Sequence, residues 1–270
     1  LFQPSHLRPA TRLARWAMPA LLATAPLVGA VPAMLDSDFA DYGVLLTSNG
    51  ISADLHTIAH LPLPDGGSVA VFTYRHTTEM PCASQRVCIG LLRFNDHGSI
   101  IDASLGGISL SLTTANAATL DAQGRIVVVG AVEIAEGPDH DFMIARMHLD
   151  GTPDTSFGSG GKTRVHFDQG GDNYDAAYAV TIDGSGRIVV VGEAERNAIN
   201  NSDYAIVRLL PNGQPDPSFG INSSGKRLIS FDLSANSPTD VATGVAVDAD
   251  GKILIAGTVR DTDLGIKRIG

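Results

Sequence analysis

Short apolar runs separated by polar turns dominate the chain after residue 33. The clearest stretch contains four of them, at 162–167, 177–182, 187–192 and 204–209. They are rich in β-branched residues and bounded by Gly, Asn, Asp or Pro, a pattern that predicts β-strands. The run 126–130 (IVVVG) is apolar without interruption, which predicts a strand covered on both faces. No run of twelve or more residues after the N-terminal region shows helical periodicity, so the pattern predicts an all-β fold.

Three sequence markers recur in a fixed order and divide the chain into repeats. The first is a polar turn followed by an apolar run, at 63–74, 120–131, 182–193 and 247–258. The second is a turn of the type D-x-S-F-G, at 35–43, 101–107, 153–161 and 215–225. The third is an apolar strand that carries arginine, at 88–94, 141–147, 203–209 and 263–269. This order predicts four units of roughly 60 residues, at approximately 35–100, 101–152, 153–214 and 215–270.

Each unit is predicted to contain four antiparallel strands. In unit three they are the four runs given above, and in unit four they are 226–231, 242–247, 253–258 and 264–269. A sheet of this size cannot bury both faces alone, whereas copies stacked radially can. We therefore predict a β-propeller-like array of four four-stranded antiparallel units within a domain at 34–270. A β-sandwich or a β-solenoid stays open as an alternative.

The recurring residues of the markers are predicted to serve packing between units. Phe157 and Phe219 would wedge between adjacent blades, and Asp154 and Asp216 would accept backbone N–H groups in the turn. Four arginines are expected to pair with carboxylates or carbonyls between blades, namely Arg93, Arg146, Arg208 and Arg268. The alternative is a ring of arginines that lines a central channel and binds an anion.

The markers resemble the delta-60 repeat, which is found in bacterial exported and surface proteins. The resemblance rests on the D-x-S-F-G turn, the D-x-x-G-[RK]-I-[VL]-[VI] run and the D-[FY]-x-[IL]-x-R strand, and it covers residues 35–270. Unit one departs from it by lacking the D-x-x-G-R turn and by having Cys88 in place of Asp, and unit two has Leu105 in place of Phe. The resemblance implies a propeller-like fold and no particular reaction.

Residues 1–33 have the layout of a secretory signal peptide. Three arginines, Arg8, Arg12 and Arg15, precede an apolar run at 16–30, and Val31-Pro32-Ala33 favours cleavage after Ala33. We therefore expect export to the periplasm or the cell exterior, with an N-terminal anchor helix as the alternative. No later segment is apolar enough to span a bilayer.

The acidic charge argues against one class of partner. The chain carries a net charge of -10, and residues 1–33 contain three arginines and no acid, so residues 34–270 carry -13. An acidic surface repels phosphate backbones, and no basic cluster interleaved with aromatic residues offsets the repulsion. Nucleic acid is therefore excluded as an expected partner.

Candidate metal and redox residues are few, and no cofactor is predicted. Cys82 and Cys88 are expected to form a local disulfide after export, with free thiols or a metal site as alternatives. Oxygen-rich loops offer weak calcium candidates at Asp172, Asp175, Asp248 and Asp250, which are also typical of turns. A further candidate metal site lies in the least regular unit and consists of His56, His60, His76 and Glu79.

The sequence contains no recognisable catalytic motif, so we predict a non-catalytic binding or scaffold protein. Its partner is expected to be a protein or a glycan, contacted through the irregular loops at 75–87, 133–140 and 195–202. One alternative is an exported hydrolase or lyase that acts on polysaccharide in a central funnel. Another is a truncated fragment of a larger propeller protein, since no D-x-S-F-G turn follows the last strand of unit four.

Overall fold

The computed structural model of the chain describes residues 56–74, 87–108, 112–134, 138–196, 201–231, 239–261 and 266–269. The predicted signal peptide at 1–33 lies outside these ranges, as do Cys82, His76 and Glu79. Within the described ranges the secondary structure is almost entirely β, apart from one short 3-10 helix at Ile221–Ser223. In this part of the chain, no helix has the length and apolar character needed to cross a membrane. The prediction of an all-β fold is confirmed.

In the described part of the chain, fifteen strands form four antiparallel sheets in which neighbouring strands follow chain order. Sheet I contains β1 (His56–Pro62), β2 (Ser68–Tyr74), β3 (Cys88–Phe94) and β4 (Ile100–Ile108). Sheet II contains β5 (Thr114–Leu120), β6 (Ile126–Glu133), β7 (His140–Met147) and β8 (Lys162–Val165). Sheet III contains β9 (Asp175–Ile182), β10 (Ile188–Glu195), β11 (Ser202–Leu209) and β12 (Lys226–Ile229). Sheet IV contains, among the described residues, β13 (Asp240–Val247), β14 (Ile253–Asp261) and β15 (Ile266–Ile269).

The strands group into sheets one strand out of phase with the predicted units. The sequence pattern assigned the run 162–167 to the unit that contains 177–209, but this strand pairs with β7, where Phe142 lies opposite Val165. Likewise β12 pairs with β11 of sheet III, whereas the pattern placed the run 226–231 in unit four. The reason is that the D-x-S-F-G turn reverses the chain, so the strand after it returns along the strand before it. In sheets II and III the turn therefore joins the third and fourth strands. In sheet I the segment 101–107, predicted as the same turn, instead lies within β4, where it pairs with β3.

The hydrophobic core consists of layers between successive sheets. Along β6, Ile126 and Val128 pack towards sheet I, while Val127 and Val129 pack towards sheet III. All four side chains are fully buried, because successive side chains of a strand point to opposite faces and both faces are covered. This confirms the interpretation of the uninterrupted apolar run as a strand buried on both faces.

The first strands of the sheets lie next to one another. Contacts run from β1 to β5, from β5 to β9 and from β9 to β13, as expected for the innermost strands of a radial array. As far as they are described, the four sheets are not closed into a ring. Gly192, which follows the apolar run of β10, allows β10 to pair with β9 at a β-bulge. A Cβ on this residue would lie 1.9 Å from the carbonyl oxygen of Ala176.

One face of sheet IV is exposed although its sequence is apolar. Val189 of β10 packs towards sheet IV and is fully buried. Leu254 holds the equivalent position in β14, and 58% of it is exposed. The difference arises because Val189 has a following sheet to pack against, whereas Leu254 has none among the described residues.

Candidate functional site

The sheets present two ends with different character. We call one end the loop face; its segments include 134–139, 166–174, 196–201 and 230–239, as far as they are described. We call the opposite end the turn face; its segments include 121–125, 148–161, 183–187 and 210–225. Described parts of two of the loops predicted to contact a partner, 133–140 and 195–202, lie on the loop face.

On the turn face, Arg146 braces the connection between β7 and β8. Its Nε donates to Oδ2 of Asp154 at 2.8 Å, and its guanidinium carbon lies 4.7 Å from the ring centre of the buried Phe157. Burial raises the pKa of Asp154, but hydrogen bonds from Ser156 and the charge of Arg146 outweigh it and lower the pKa to about 2. Nη1 of Arg146 also donates to the carbonyl oxygen of Pro211 at 2.5 Å, so this arginine joins sheets II and III.

Sheet III repeats the same arrangement. Nε of Arg208 donates to Oδ2 of Asp216 at 2.7 Å, and the guanidinium carbon lies 4.7 Å from the ring centre of Phe219. Both guanidinium groups, those of Arg146 and Arg208, are engaged by carboxylates, which disfavours the alternative that they bind an anion.

The other two predicted arginines differ from this pair. Arg93 pairs with Asp65 at 2.8 Å within sheet I rather than between sheets, because Asp65 lies in the turn between β1 and β2. Arg268 lies in β15 opposite Val259, and its side chain is not among those described.

A cleft of about 350 Å³ opens on the loop face where sheets II, III and IV meet. Its walls combine acidic, aromatic and small polar residues, including His140, Asp172, Tyr174, Glu193, Glu195 and Ser202. The rings of His140 and Tyr174 are 5.0 Å apart at a tilt of 50°. Nδ1 of His140 lies 2.7 Å from the carbonyl oxygen of Pro138; since a carbonyl only accepts, Nδ1 carries the proton of this bond.

Hydrogen bonds hold two carboxylates of the cleft in place. Glu193 accepts from the hydroxyl of Tyr178 at 2.7 Å and from Oγ of Ser202 at 2.8 Å, one on each carboxylate oxygen. Oε2 of Glu195 accepts from the backbone N–H of Tyr174 at 3.1 Å. Burial and the charge of Glu193 raise the pKa of Tyr178, so its hydroxyl stays a donor. The cleft therefore offers positioned hydrogen-bond acceptors beside two aromatic rings.

Beside the cleft lies a cluster of carboxylates from sheets II and III. Asp139, Asp141 and Asp168 each place one carboxylate oxygen within 4.8 Å of the others. Burial raises the pKa of the fully buried Asp175 to about 7; the N–H of Phe167 opposes this effect, and the carboxylates of Asp141, Asp168 and Asp139 add to it. Among the described residues, Asp139, Asp141 and Asp168 are the group that could hold a metal ion.

The cluster does not coincide with the predicted calcium pairs. Asp172 lines the cleft, whereas its predicted partner Asp175 interacts with the carboxylate cluster. Oδ1 of Asp248 accepts from the backbone N–H groups of Asp250 and Lys252, which gives Asp248 a role in the turn between β13 and β14.

The remaining predicted candidates lie elsewhere. His60 makes a 2.8 Å hydrogen bond with Oγ of Ser68, and neither His56 nor His60 belongs to a metal-binding group among the described residues. Cys88 is buried in β3. Because Cys82 lies outside the described residues, the disulfide stays a prediction.

The sequence predicted two of the loops that contribute to the cleft but did not identify the cleft or the carboxylate cluster as a site. Their residues come from separate segments that become neighbours only through strand pairing and the packing of the sheets. One signal was present: Asp141 and Asp203 each occupy the start of an otherwise apolar strand, where burial of a carboxylate is costly. In the sequence pattern, the aspartate at this position was used only to define the repeat.

Comparison with known proteins agrees with the architecture. Two segments, 123–157 and 184–219, match the family model of DUF5122, a domain of unknown function described as a β-propeller. Both segments run from the turn before the second strand of a sheet to the phenylalanine of the D-x-S-F-G turn. No curated protein matches the chain.

Two solved structures are similar at low identity. One is the endo-arabinase from Bacteroides thetaiotaomicron, with 12% identity, a TM-score of 0.39, and coverage of 76% of this chain and 70% of that one. The other is a hypothetical protein from Leishmania major, with 12% identity, a TM-score of 0.36, and coverage of 78% and 64%. The name delta-60 stays a resemblance. The family match and the four antiparallel sheets together show that the chain is built from β-propeller-type repeat units.

Proposed function

We propose that the protein is an exported binding module that recognises a glycan through the loop-face cleft. The observation that supports this most directly is the cleft itself, where aromatic rings and positioned carboxylates face one space of about 350 Å³. This volume lies within the range of small-molecule sites, roughly 300–1,000 Å³. A sugar residue would fit such a space, whereas a protein partner would need a larger contact area.

The chemistry of the walls favours a neutral, hydroxyl-rich ligand. Carboxylates accept hydrogen bonds from hydroxyl groups, and the rings of Tyr174 and His140 offer an apolar face for a sugar ring. Asp172, Glu193 and Glu195 give the cleft negative charge, which disfavours uronates and phosphates. The proposed ligand is therefore a neutral or amino-sugar glycan rather than an acidic one.

A glycan array probed with the folded protein tests the proposal. We expect neutral glycans to bind and Tyr174→Ala to lower their affinity at least about tenfold, because the substitution removes the ring and keeps the backbone. His140→Ala should act in the same direction. The matched control is His97→Ala, since His97 lies in the turn between β3 and β4, at the turn-face end of sheet I, with 69% of its side chain exposed.

Two outcomes would contradict the glycan proposal. One is a folded protein that binds no glycan but captures an envelope protein. The other is glycan binding that Tyr174→Ala and His140→Ala leave unchanged, because the ligand would then lie elsewhere.

Hydrolysis of a polysaccharide is the second candidate, since three carboxylates line one cleft. Glycoside hydrolysis commonly uses a pair of carboxyl groups, one as acid and one as base or nucleophile. Turnover of a neutral polysaccharide that is lost in Glu193→Gln would favour this function over binding alone. Binding without turnover would leave the protein a non-catalytic module.

A further inference from the structure

We propose that Asp139, Asp141 and Asp168 form a calcium-binding site at the loop-face end of sheet II, next to the buried Asp175 of sheet III. The three ligands come from two segments: the start of β7 and the connection after β8. One carboxylate oxygen from each of Asp139, Asp141 and Asp168 lies within 4.8 Å of the others. Ligands bind Ca²⁺ at roughly 2.3–2.6 Å, so oxygens on opposite sides of one ion lie about 5 Å apart.

Buried oxygens without a partner provide the second line of support. Asp175 is fully buried and Asp141 is 2% exposed, yet Oδ1 of each accepts no hydrogen bond. Oδ1 of Asp139 is also shielded from solvent and without a hydrogen bond. Burying an unpartnered carboxylate oxygen is costly unless a cation or a donor compensates. A bound cation would give these oxygens the partner that the protein does not supply.

The charge balance leads to the same conclusion. Four carboxylates face one guanidinium, that of Arg164 at 3.3 Å from Asp141, and one imidazole, that of His166 at 2.6 Å from Asp168. Arg164 and His166 are both more than half exposed, whereas Asp141 and Asp175 are buried. A divalent cation would neutralise much of the excess.

The ligand set favours calcium among the common divalent ions. All candidate ligands are oxygens, which suits Ca²⁺ and Mg²⁺ rather than zinc. Mg²⁺ binds at about 2.0–2.1 Å in a strict octahedron, so its opposite ligands are close to 4 Å apart. Ca²⁺ accepts more oxygen ligands in a more flexible geometry, so a cluster of carboxylates from separate segments favours Ca²⁺.

The position of the site indicates what the ion would do. Asp139 precedes His140, and Asp168 lies in the same connection as Tyr174, so two ligands belong to the segments that carry the two aromatic residues of the cleft. The ion would hold together the two segments that form the cleft wall. The test below needs only calcium and the folded protein, so it can fail or succeed independently of glycan binding.

The experiment compares the full-length protein, freed of metal with EDTA, before and after CaCl₂ is added. We expect calorimetry to show binding and the melting temperature to rise by about 5 to 10 °C at a calcium concentration 100 times Kd. Asp168→Asn should weaken calcium binding at least about tenfold, because affinity follows the number of charged ligands. Asp168 is exposed, so the variant should fold, and far-UV circular dichroism checks this.

Asp139→Asn provides a second variant, and Asp250→Asn is the control. Asp250 is 76% exposed and belongs to a predicted calcium pair outside the cluster, so its substitution should leave the calcium response unchanged. The proposal is overturned if the folded protein binds no calcium at millimolar CaCl₂, or if both cluster variants keep the wild-type affinity. An equal response to MgCl₂ would overturn the assignment of calcium.

Discussion

Asp154 shows how much one side chain can contribute to a repeat turn. Its carboxylate accepts hydrogen bonds from the backbone N–H and hydroxyl of Ser156 and from the guanidinium groups of Arg146 and Arg125. The aspartate thus ties the turn to the strand that precedes it. At the residue scale, the D-x-S-F-G marker is therefore a device for positioning a turn.

Replacing Asp154 should lower stability by an amount that depends on pH. Its pKa of about 2 in the folded protein lies below the usual 3.8, so the ionised carboxylate stabilises the fold. That contribution is complete above about pH 4 and is lost as the pH falls towards 2. We expect Asp154→Asn to lower the free energy of unfolding by about 2 kcal/mol at pH 7 and by much less near pH 2.

Urea denaturation at several pH values measures this difference. Asp250→Asn is the control; it should change stability by less than about 0.5 kcal/mol, because its exposed pair with Lys252 is weak. A difference between Asp154→Asn and wild type that stays constant from pH 7 to pH 2 would contradict the assignment.

The two phenylalanines of the D-x-S-F-G turns should differ in their contribution to the free energy of unfolding. Phe157 is fully buried between sheets II and III, whereas Phe219 is only partly buried. We expect Phe157→Ala to cost about 3 to 5 kcal/mol in chemical denaturation, and Phe219→Ala at least about 1 kcal/mol less. Equal costs would show that the difference in burial has no energetic consequence.

At the scale of elements, the central strands are predictable from sequence but their grouping is not. The uninterrupted apolar runs locate β6 and β10, because burial on both faces requires apolar residues at every position. The four-residue strands β8 and β12 carry no comparable signal of partner choice. Their pairing depends on the direction of the D-x-S-F-G turn, which the periodicity of the sequence does not encode.

Equivalent strand positions should respond differently to a polar substitution. Val127 and Val189 are fully buried, whereas Leu254 is 58% exposed at the equivalent position of β14. We expect Val127→Thr and Val189→Thr to cost about 1 to 3 kcal/mol, because each buries a hydroxyl group. Leu254→Thr should change the free energy of unfolding by less than about 0.5 kcal/mol.

Denaturation curves of the three variants provide the measurement. A cost for Leu254→Thr as large as that for Val189→Thr would mean that another surface covers sheet IV in solution.

At the scale of the whole molecule, the core layers couple the sheets. Sheet II contributes to the layers on both of its sides, and so does sheet III. Repeat proteins with strong interfaces between neighbours unfold together, since a lone repeat leaves its faces uncovered. We expect one urea transition that coincides in far-UV circular dichroism and tyrosine near-UV signals. Two separated transitions would contradict this coupling.

The candidate site belongs to the same scale, which explains why sequence reasoning found only parts of it. The predicted loops 133–140 and 195–202 contribute residues to the cleft, so the irregular segments indicated the correct end of the molecule. Asp168 and Asp139 were not singled out, because they are 29 residues apart and neither forms a local motif. Their proximity follows from the antiparallel pairing of β7 with β8 in sheet II.

The phase shift between repeat and sheet has a consequence for how such chains can gain or lose copies. Removal of residues 153–214 would place β12 directly after β7, where it could take over the edge position that β8 held. Sheet II would then still have a fourth strand, taken from sheet III. Cutting out a fragment is different, because a fragment that ends with sheet II keeps this sheet whole only if the break falls between β8 and β9. The segment that is gained or lost as one sequence repeat is therefore different from the segment that folds into one sheet.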